Sequence, residues 1–267
     1  MTFLHLFLLA MIQGITEFLP VSSSGHLILL PGLTGLEDQG QVIDVAAHVG
    51  TLGAVVLYFW TDVKTALIGT PRMLMGRLDT PGAKLAFLLL ISTIPVILFG
   101  IVLEMTGLYE HLRSIAVIGW TMLIFGVVLY WADQNGPLTK VAADWNRRDA
   151  IIIGLCQAIS LIPGTSRSGI TITAGRYLGY DREGAARIAM LMSIPTILAS
   201  GIFSGAKVIS QADATAAWDG AIAAALSFVA ALLALILMFR LLKSVSFTPY
   251  VIYRVVLGVI LLWIAYS

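Results

Sequence analysis

A chain of 267 residues with 58% hydrophobic and only 12% charged positions cannot clothe a water-soluble globule, which needs about 25% charged residues. A formal net charge of +1 with no basic stripe excludes a nucleic-acid binder. The single cysteine, Cys156, excludes an intrachain disulfide and a cysteine-built metal centre. What remains, at a mean hydropathy of +0.93, is a polytopic helical membrane protein.

In chain order, Phe3 to Ile12 is apolar but has no basic leader, and Glu17 stands where a cleavage site would place small residues, so the segment reads as retained. Leu4 to Leu19 is slightly short for a span and ends in Pro20 and a serine-rich turn. Leu27 to Leu30, stopping at Pro31-Gly32, is too short to cross. The two pieces predict a hairpin that dips into the bilayer and returns, a geometry tolerated only inside protein or beside water. Full spans follow over Val42–Trp60, Leu85–Leu103 and Ile115–Ala132. The pattern then repeats. Ile151 to Pro163 enters, Gly164 to Gly169 turns and Ile170 to Leu178 returns, before spans at Ile188–Ala206, Ala221–Leu242 and Tyr250–Tyr266.

The expected fold is therefore one all-α membrane domain of two repeats, 1–132 and 149–267, each a re-entrant hairpin plus three spans. An odd number of spans inverts the second repeat relative to the first, which places sites near the midplane. Basic residues agree. Connections around 61–84, 133–149, 176–187 and 240–247 hold twelve lysines and arginines, and the opposite side has only Arg113 and Lys207. By the positive-inside rule the basic side is cytoplasmic and both termini lie outside.

Two polar segments interrupt this apolar chain. The first runs Gln13-Gly14-Ile15-Thr16-Glu17-Phe18-Leu19-Pro20-Val21-Ser22-Ser23-Ser24-Gly25-His26, and the second Gln157-Ala158-Ile159-Ser160-Leu161-Ile162-Pro163-Gly164-Thr165-Ser166-Arg167-Ser168-Gly169. Ionisable groups inside a membrane are costly and mark function, so Glu17 and Arg167 stand out. The Ser166-Arg167-Ser168 turn, with Thr171 and Thr173 in the helix it opens, offers hydroxyls, backbone N–H groups and a fixed positive charge, which suits a phosphate. Glu17 beside a phosphate suits a divalent cation. A serine near His26 suits a nucleophile beside its base, with Ser22 and Ser24 as neighbouring hydroxyls. Serine and glycine at a helix break also serve simply as caps and turns. Asp44 and His48, four residues apart, read more readily as an interfacial pair than as site-lining groups. Arg254 and Glu104 read as residues that satisfy helix ends or snorkel.

The stretch Glu17 to His26, together with Pro163-Gly164-Thr165-Ser166-Arg167-Ser168-Gly169 and the ending Tyr253-Arg254-Val255-Val256-Leu257-Gly258, resembles the undecaprenyl-pyrophosphate phosphatase (bacitracin-resistance) family. The resemblance covers nearly the whole chain. It implies an integral phosphatase of the bacterial inner membrane that takes a polyprenyl pyrophosphate lipid to the monophosphate carrier of peptidoglycan synthesis, at the periplasmic face. It further implies a divalent cation, Mg²⁺ or Ca²⁺, at Glu17 and Gln13, Ser23 as nucleophile and His26 as its acid/base partner. Arg167, with Ser166, Ser168 and Thr171, would hold the phosphate. Many relatives carry glutamate where this chain has Gln13, so the cation site here is one charge poorer. Attack by Ser23 and attack by activated water both stay open. A rival reading from the inverted repeats is a transporter of polyprenyl phosphate. Gly119, Gly126, Gly201 and Gly205 suit close helix packing within a protomer or in a homodimer.

Overall fold

The computed structural model describes residues 1–34, 40–208 and 214–267, which form twelve α-helices. The first hairpin is α1 (Phe3–Thr16) and α2 (Ser23–Thr34). Then come α3 (Gly40–Tyr58), α4 (Trp60–Leu74), α5 (Pro81–Thr106), the one-turn α6 (Leu108–His111) and α7 (Ile115–Asn135). The second hairpin is α8 (Arg147–Ile159) and α9 (Arg167–Tyr177), followed by α10 (Arg182–Val208), α11 (Ala214–Leu241) and α12 (Thr248–Tyr266). Six of the described helices, α3, α5, α7, α10, α11 and α12, are long and apolar enough to cross a bilayer. They match the six spans expected from the sequence. The chain is a multi-pass all-α membrane protein.

Two local expectations are corrected. α2 does not stop at Pro31 but continues to Thr34. A proline removes only its own N–H, and in an apolar surround helix remains the best way to satisfy the other backbone groups. The connection 61–84 is not a plain loop, because it contains α4. Gly69 of α4 meets α5 so closely that an added Cβ would lie 2.1 Å from the Gly82 carbonyl carbon. Leu67, Ile68 and Leu74 remain exposed beside Arg72, which pairs with Asp79 at 2.6 Å. That distribution is an amphipathic helix docked on the bundle.

Each hairpin packs on a long helix of the other half, α1 against α11 and α8 against α5, while α7 packs on α12 and α10 on α3. Gly119 and Gly126 make the α7–α12 contact close, since a Cβ on Gly119 would come within 2.9 Å of Leu262, whereas Gly201 and Gly205 meet no side chain within 4 Å. The largest buried cluster, including Phe18, Ile153, Ile172, Met190 and Phe247, runs from the middle of the bundle to one end. A smaller one, with Leu6, Leu9, Leu27, Ile43 and Ala223, fills the opposite end beneath the first hairpin.

Ion pairs tie the basic connections together at one end. Asp133 accepts from Arg176 at 3.1 Å, Arg182 at 2.7 Å and the Phe247 N–H at 3.1 Å. Arg187 holds both oxygens of Asp62 at 2.7 and 2.8 Å. Asp149 accepts from Lys140, Asn146 and Tyr180. The four connections thus share one face. At the other end the amino terminus bonds Asp219 at 2.7 Å, and Trp120 donates to Tyr266 at 3.3 Å.

Candidate active site

The two hairpin turns are built alike. Ser22 and Ser166 are the only non-glycine residues with positive φ among those described, at 74° and 70°. Such backbone costs on the order of 1–3 kcal/mol per residue and persists where surrounding structure fixes it. Each serine hydroxyl accepts from the N–H of a glycine three residues on, Gly25 at 3.4 Å and Gly169 at 3.1 Å. Each also lies beside a second hydroxyl, Ser24 at 3.3 Å and Ser168 at 3.1 Å. Both returning helices are therefore capped by the same device. In this correspondence Ser23 occupies the position of Arg167, and Gln13 that of Gln157.

Buried groups clamp the turns face to face. Arg254 of α12 is fully buried and, among the described residues, has no carboxylate partner. It donates instead to the carbonyls of Pro20, Met122, Thr121, Gly164 and Thr165 at 2.9 to 3.4 Å. Of the two roles expected from the sequence, satisfying neighbouring helix ends and snorkelling, the structure shows the first. Ser168 donates to the Leu19 carbonyl at 2.9 Å. Gly164, at φ 86°, packs where a Cβ would stand 2.1 Å from the Thr121 hydroxyl, which itself bonds the Pro163 carbonyl at 2.7 Å. Only glycine fits there.

Between the turns lies a cavity of about 190 Å³ lined by Glu17, Ser22, Ser23, Ser24, His48, Ser166 and Arg167, with Ser160, Thr196 and Ser200 completing a hydroxyl-rich wall. Glu17 is its electrostatic centre. One carboxylate oxygen takes Arg167 at 2.5 Å, and the other takes Ser23 at 2.7 Å and Gln13 at 2.9 Å, with His48 Nε2 3.7 Å away. A buried carboxylate so engaged is held ionised by its partners. The second terminal nitrogen of Arg167, Nη1, is buried without a hydrogen-bond partner. An orphaned guanidinium donor costs free energy unless something accepts from it, and a phosphoryl oxygen in the cavity would do so.

The structure thus gathers Glu17, Ser22, Ser23, Ser24, Ser166 and Arg167 around one space. It does not bring His26 to the Ser23 hydroxyl. His26 Nδ1 lies 2.6 Å from the Ser22 carbonyl and Nε2 2.5 Å from the Tyr253 hydroxyl. Thr171 also turns from the cavity, bonding the carbonyls of Arg167 and Ser168 within its own helix at 2.8 and 3.2 Å. Ser168 serves the clamp. The imidazole that lines the cavity belongs to His48, fixed by Nδ1 on the Asp44 carbonyl at 2.8 Å. The interfacial reading of that residue is corrected, and its position inside a predicted span was the signal available. Thr196 and Ser200 carry no local sequence signal, because they reach the site only through tertiary packing, whereas Ser160 lies in the second polar segment and Tyr253 opens the motif at the end of the chain.

Gln13 and Glu17 lie one turn apart on the line of α1. Gln13 Oε1 is buried with no hydrogen-bond partner, a free oxygen donor beside a carboxylate. Among the described residues no three His, Cys, Asp or Glu side chains cluster to form a complete metal cage. The Gln13 and Glu17 oxygens are hard donors of the kind a divalent cation takes.

Comparison with known proteins follows the same lines. A family model described as bacitracin resistance protein BacA matches residues 6–260. Proteins named undecaprenyl-diphosphatase are 76% identical in Jannaschia sp. (strain CCS1) and 69% identical in Ruegeria pomeroyi, each over the full length of both chains. A protein of that name in Chromohalobacter salexigens is 45% identical over 99% of this chain and all of its own. A match over nearly all of the sequence places this chain in the BacA bacitracin-resistance family.

Proposed function

We propose that this protein is an undecaprenyl-diphosphatase of the bacterial inner membrane, and that the cavity between the two turns is its active site. The observation that carries the assignment to the cavity is the Glu17–Arg167–Ser23 network, with an unsatisfied guanidinium nitrogen beside a nucleophile already bonded to a carboxylate.

The pyrophosphate enters from the periplasmic side and its lipid tail lies between helices. Arg167 exchanges its bond to Glu17 for the phosphoryl oxygens, where its planar donors fit best. That exchange frees Glu17 to take the Ser23 proton. Ser23 Oγ attacks the terminal phosphorus, and the phosphoanhydride bond breaks to release undecaprenyl phosphate. Water then cleaves the phosphoserine, giving inorganic phosphate and restoring the hydroxyl. Ser22, Ser24 and Ser166 orient the transferred group, and His48 faces the same space as a second proton-handling side chain. Gln13 and Glu17 would hold Mg²⁺ or Ca²⁺, which when bound supplies positive charge against the phosphate oxygens. Positioning and charge neutralisation carry most of the catalysis in phosphoryl transfer.

The two halves are read as inverted copies. The matched turns and the reciprocal packing of each hairpin on the other half support this reading. Phosphate release from a polyprenyl pyrophosphate by purified protein, with and without Mg²⁺ or Ca²⁺, is the test. Glu17→Ala and Arg167→Ala should each lower kcat by roughly 10²–10³-fold. Ser23→Ala should abolish any trapped phosphoserine, and full turnover in that variant would eliminate the covalent route. Folded protein that releases no phosphate with either cation would overturn the assignment.

A further inference from the structure

A second and larger cavity, about 450 Å³, opens at the basic end of the bundle and shares no lining residue with the cavity between the turns. Its walls come from the α3–α4 junction, the start of α10 and the end of α11. Tyr58, Phe59 and Phe239 form an aromatic floor, with ring centroids 4.9 to 5.4 Å apart. Three cations, Arg187, Arg240 and Lys243, face two carboxylates, Asp62 and Glu183. Arg187 is spent on Asp62, which it holds through both oxygens. Arg240 and Lys243 make no side-chain hydrogen bond or ion pair among the described residues, and both are exposed. The opening therefore presents two uncommitted cations against one uncommitted carboxylate.

The helix leading to those cations is apolar on its outer side. Val229, Leu233, Ile236 and Leu237 are exposed and fall at helical spacing in line with Arg240. Leu57 and Trp60, flanking the lining residues Tyr58 and Phe59 in sequence, are also exposed. A continuous apolar stripe thus runs along α11 and ends at the charged mouth. That is the shape of an amphiphile, with tail on the stripe and head at the cations. Basic pockets between transmembrane helices on the cytoplasmic side hold anionic lipid headgroups, and an exposed tryptophan such as Trp60 suits the headgroup level.

We propose that this cavity is a second lipid site, separate from the catalytic turns, which binds the phosphate headgroup of a membrane lipid through Arg240 and Lys243. The aromatic floor closes the pocket below the headgroup. The Asp62–Arg187 pair fixes α4 against α10 and so sets its width. Free phosphate shares the headgroup chemistry but has nothing to place on the stripe.

Native mass spectrometry of the detergent-purified full chain tests the site, with dioleoyl phosphatidic acid, dioleoyl phosphatidylcholine and inorganic phosphate as separate probes. Phosphatidic acid should be retained over phosphatidylcholine, and Arg240→Gln/Lys243→Gln should reduce that preference roughly tenfold or more. Arg167→Ala, altered at the other cavity, should keep it. An unchanged thermal midpoint in the double variant shows that its fold is intact. If it unfolds, Lys243→Gln alone should give a partial loss. A preference that survives the double variant, or disappears in Arg167→Ala, would overturn the proposal. So would displacement of the lipid by equimolar inorganic phosphate, which would make the site one for the free anion.

Discussion

Glu17 meets Arg167, Ser23 and Gln13 at once, so its charge is shared between a guanidinium, a hydroxyl and an amide. The amide is the weak member for a cation site. Its Oε1 accepts nothing, and its Nε2 spends a donor on the very oxygen a metal would want. Gln13→Glu places two carboxylates one helical turn apart in a buried setting, where like charges destabilise unless a cation or proton comes between them. Without divalent cation the variant should melt below the unaltered protein, and Mg²⁺ should raise its midpoint by more. The Mg²⁺ concentration for half-maximal phosphate release should fall at least about tenfold, since a unit charge a few ångströms away is worth several kcal/mol at an effective dielectric near 20. An unchanged Mg²⁺ requirement would remove Gln13 from the cation site.

At the scale of the elements, the site depends on two strained turns held head to head by Arg254. Five backbone carbonyls from three separate segments converge on one guanidinium. A lysine offers three donors on a point charge and cannot reproduce that planar spread. Arg254→Ala removes the donor from the Pro20, Gly164 and Thr165 carbonyls, which lie outside the helices, and should cost about 3 kcal/mol or more of unfolding free energy. Arg254→Lys should fall between, with phosphate release lost in the same order. Retention of midpoint and turnover by Arg254→Ala would show that the turns hold themselves together. The sequence showed the turns but not the clamp. Ser-x-Ser-Gly after a broken apolar run announces a re-entrant hairpin, whereas a carbonyl acceptor has no side-chain signature, so Arg254 could be read as satisfying helix ends or snorkelling but not assigned to these two turns. α4 was invisible for a related reason, because its apolar residues are too few to register as a span. Glu17 and Arg167 were legible because a charge in an apolar run needs an explanation. Which histidine faces Ser23 was not, since that depends on how α3 and α12 turn against the first hairpin.

At the scale of the whole molecule, the ends of the bundle differ in charge, and the positive-inside rule makes the basic end the expected cytoplasmic one. The basic connections meet through Asp133, Asp149 and the Asp62–Arg187 pair, while the amino terminus and Tyr266 lie at the other end. Six spans return the chain to the side on which it began, and neither hairpin alters that parity if each dips and returns. Moving a lysine or arginine outward works against the membrane potential by about 2.3 kcal/mol per 100 mV, so twelve of them on one end favour that end inside. Replacing Cys156, the one native cysteine, with serine gives a silent background for labelling. Leu138→Cys, in the exposed connection before α8, should react with a membrane-impermeant maleimide only after the cells are opened, whereas Ser267→Cys should react in intact spheroplasts. The reverse pattern would invert the molecule and turn the proposed active-site cavity toward the cytoplasm. Labelling of both in intact cells would mean that one hairpin crosses the membrane outright, and the two turns could then not meet from opposite sides at Glu17 and Arg167.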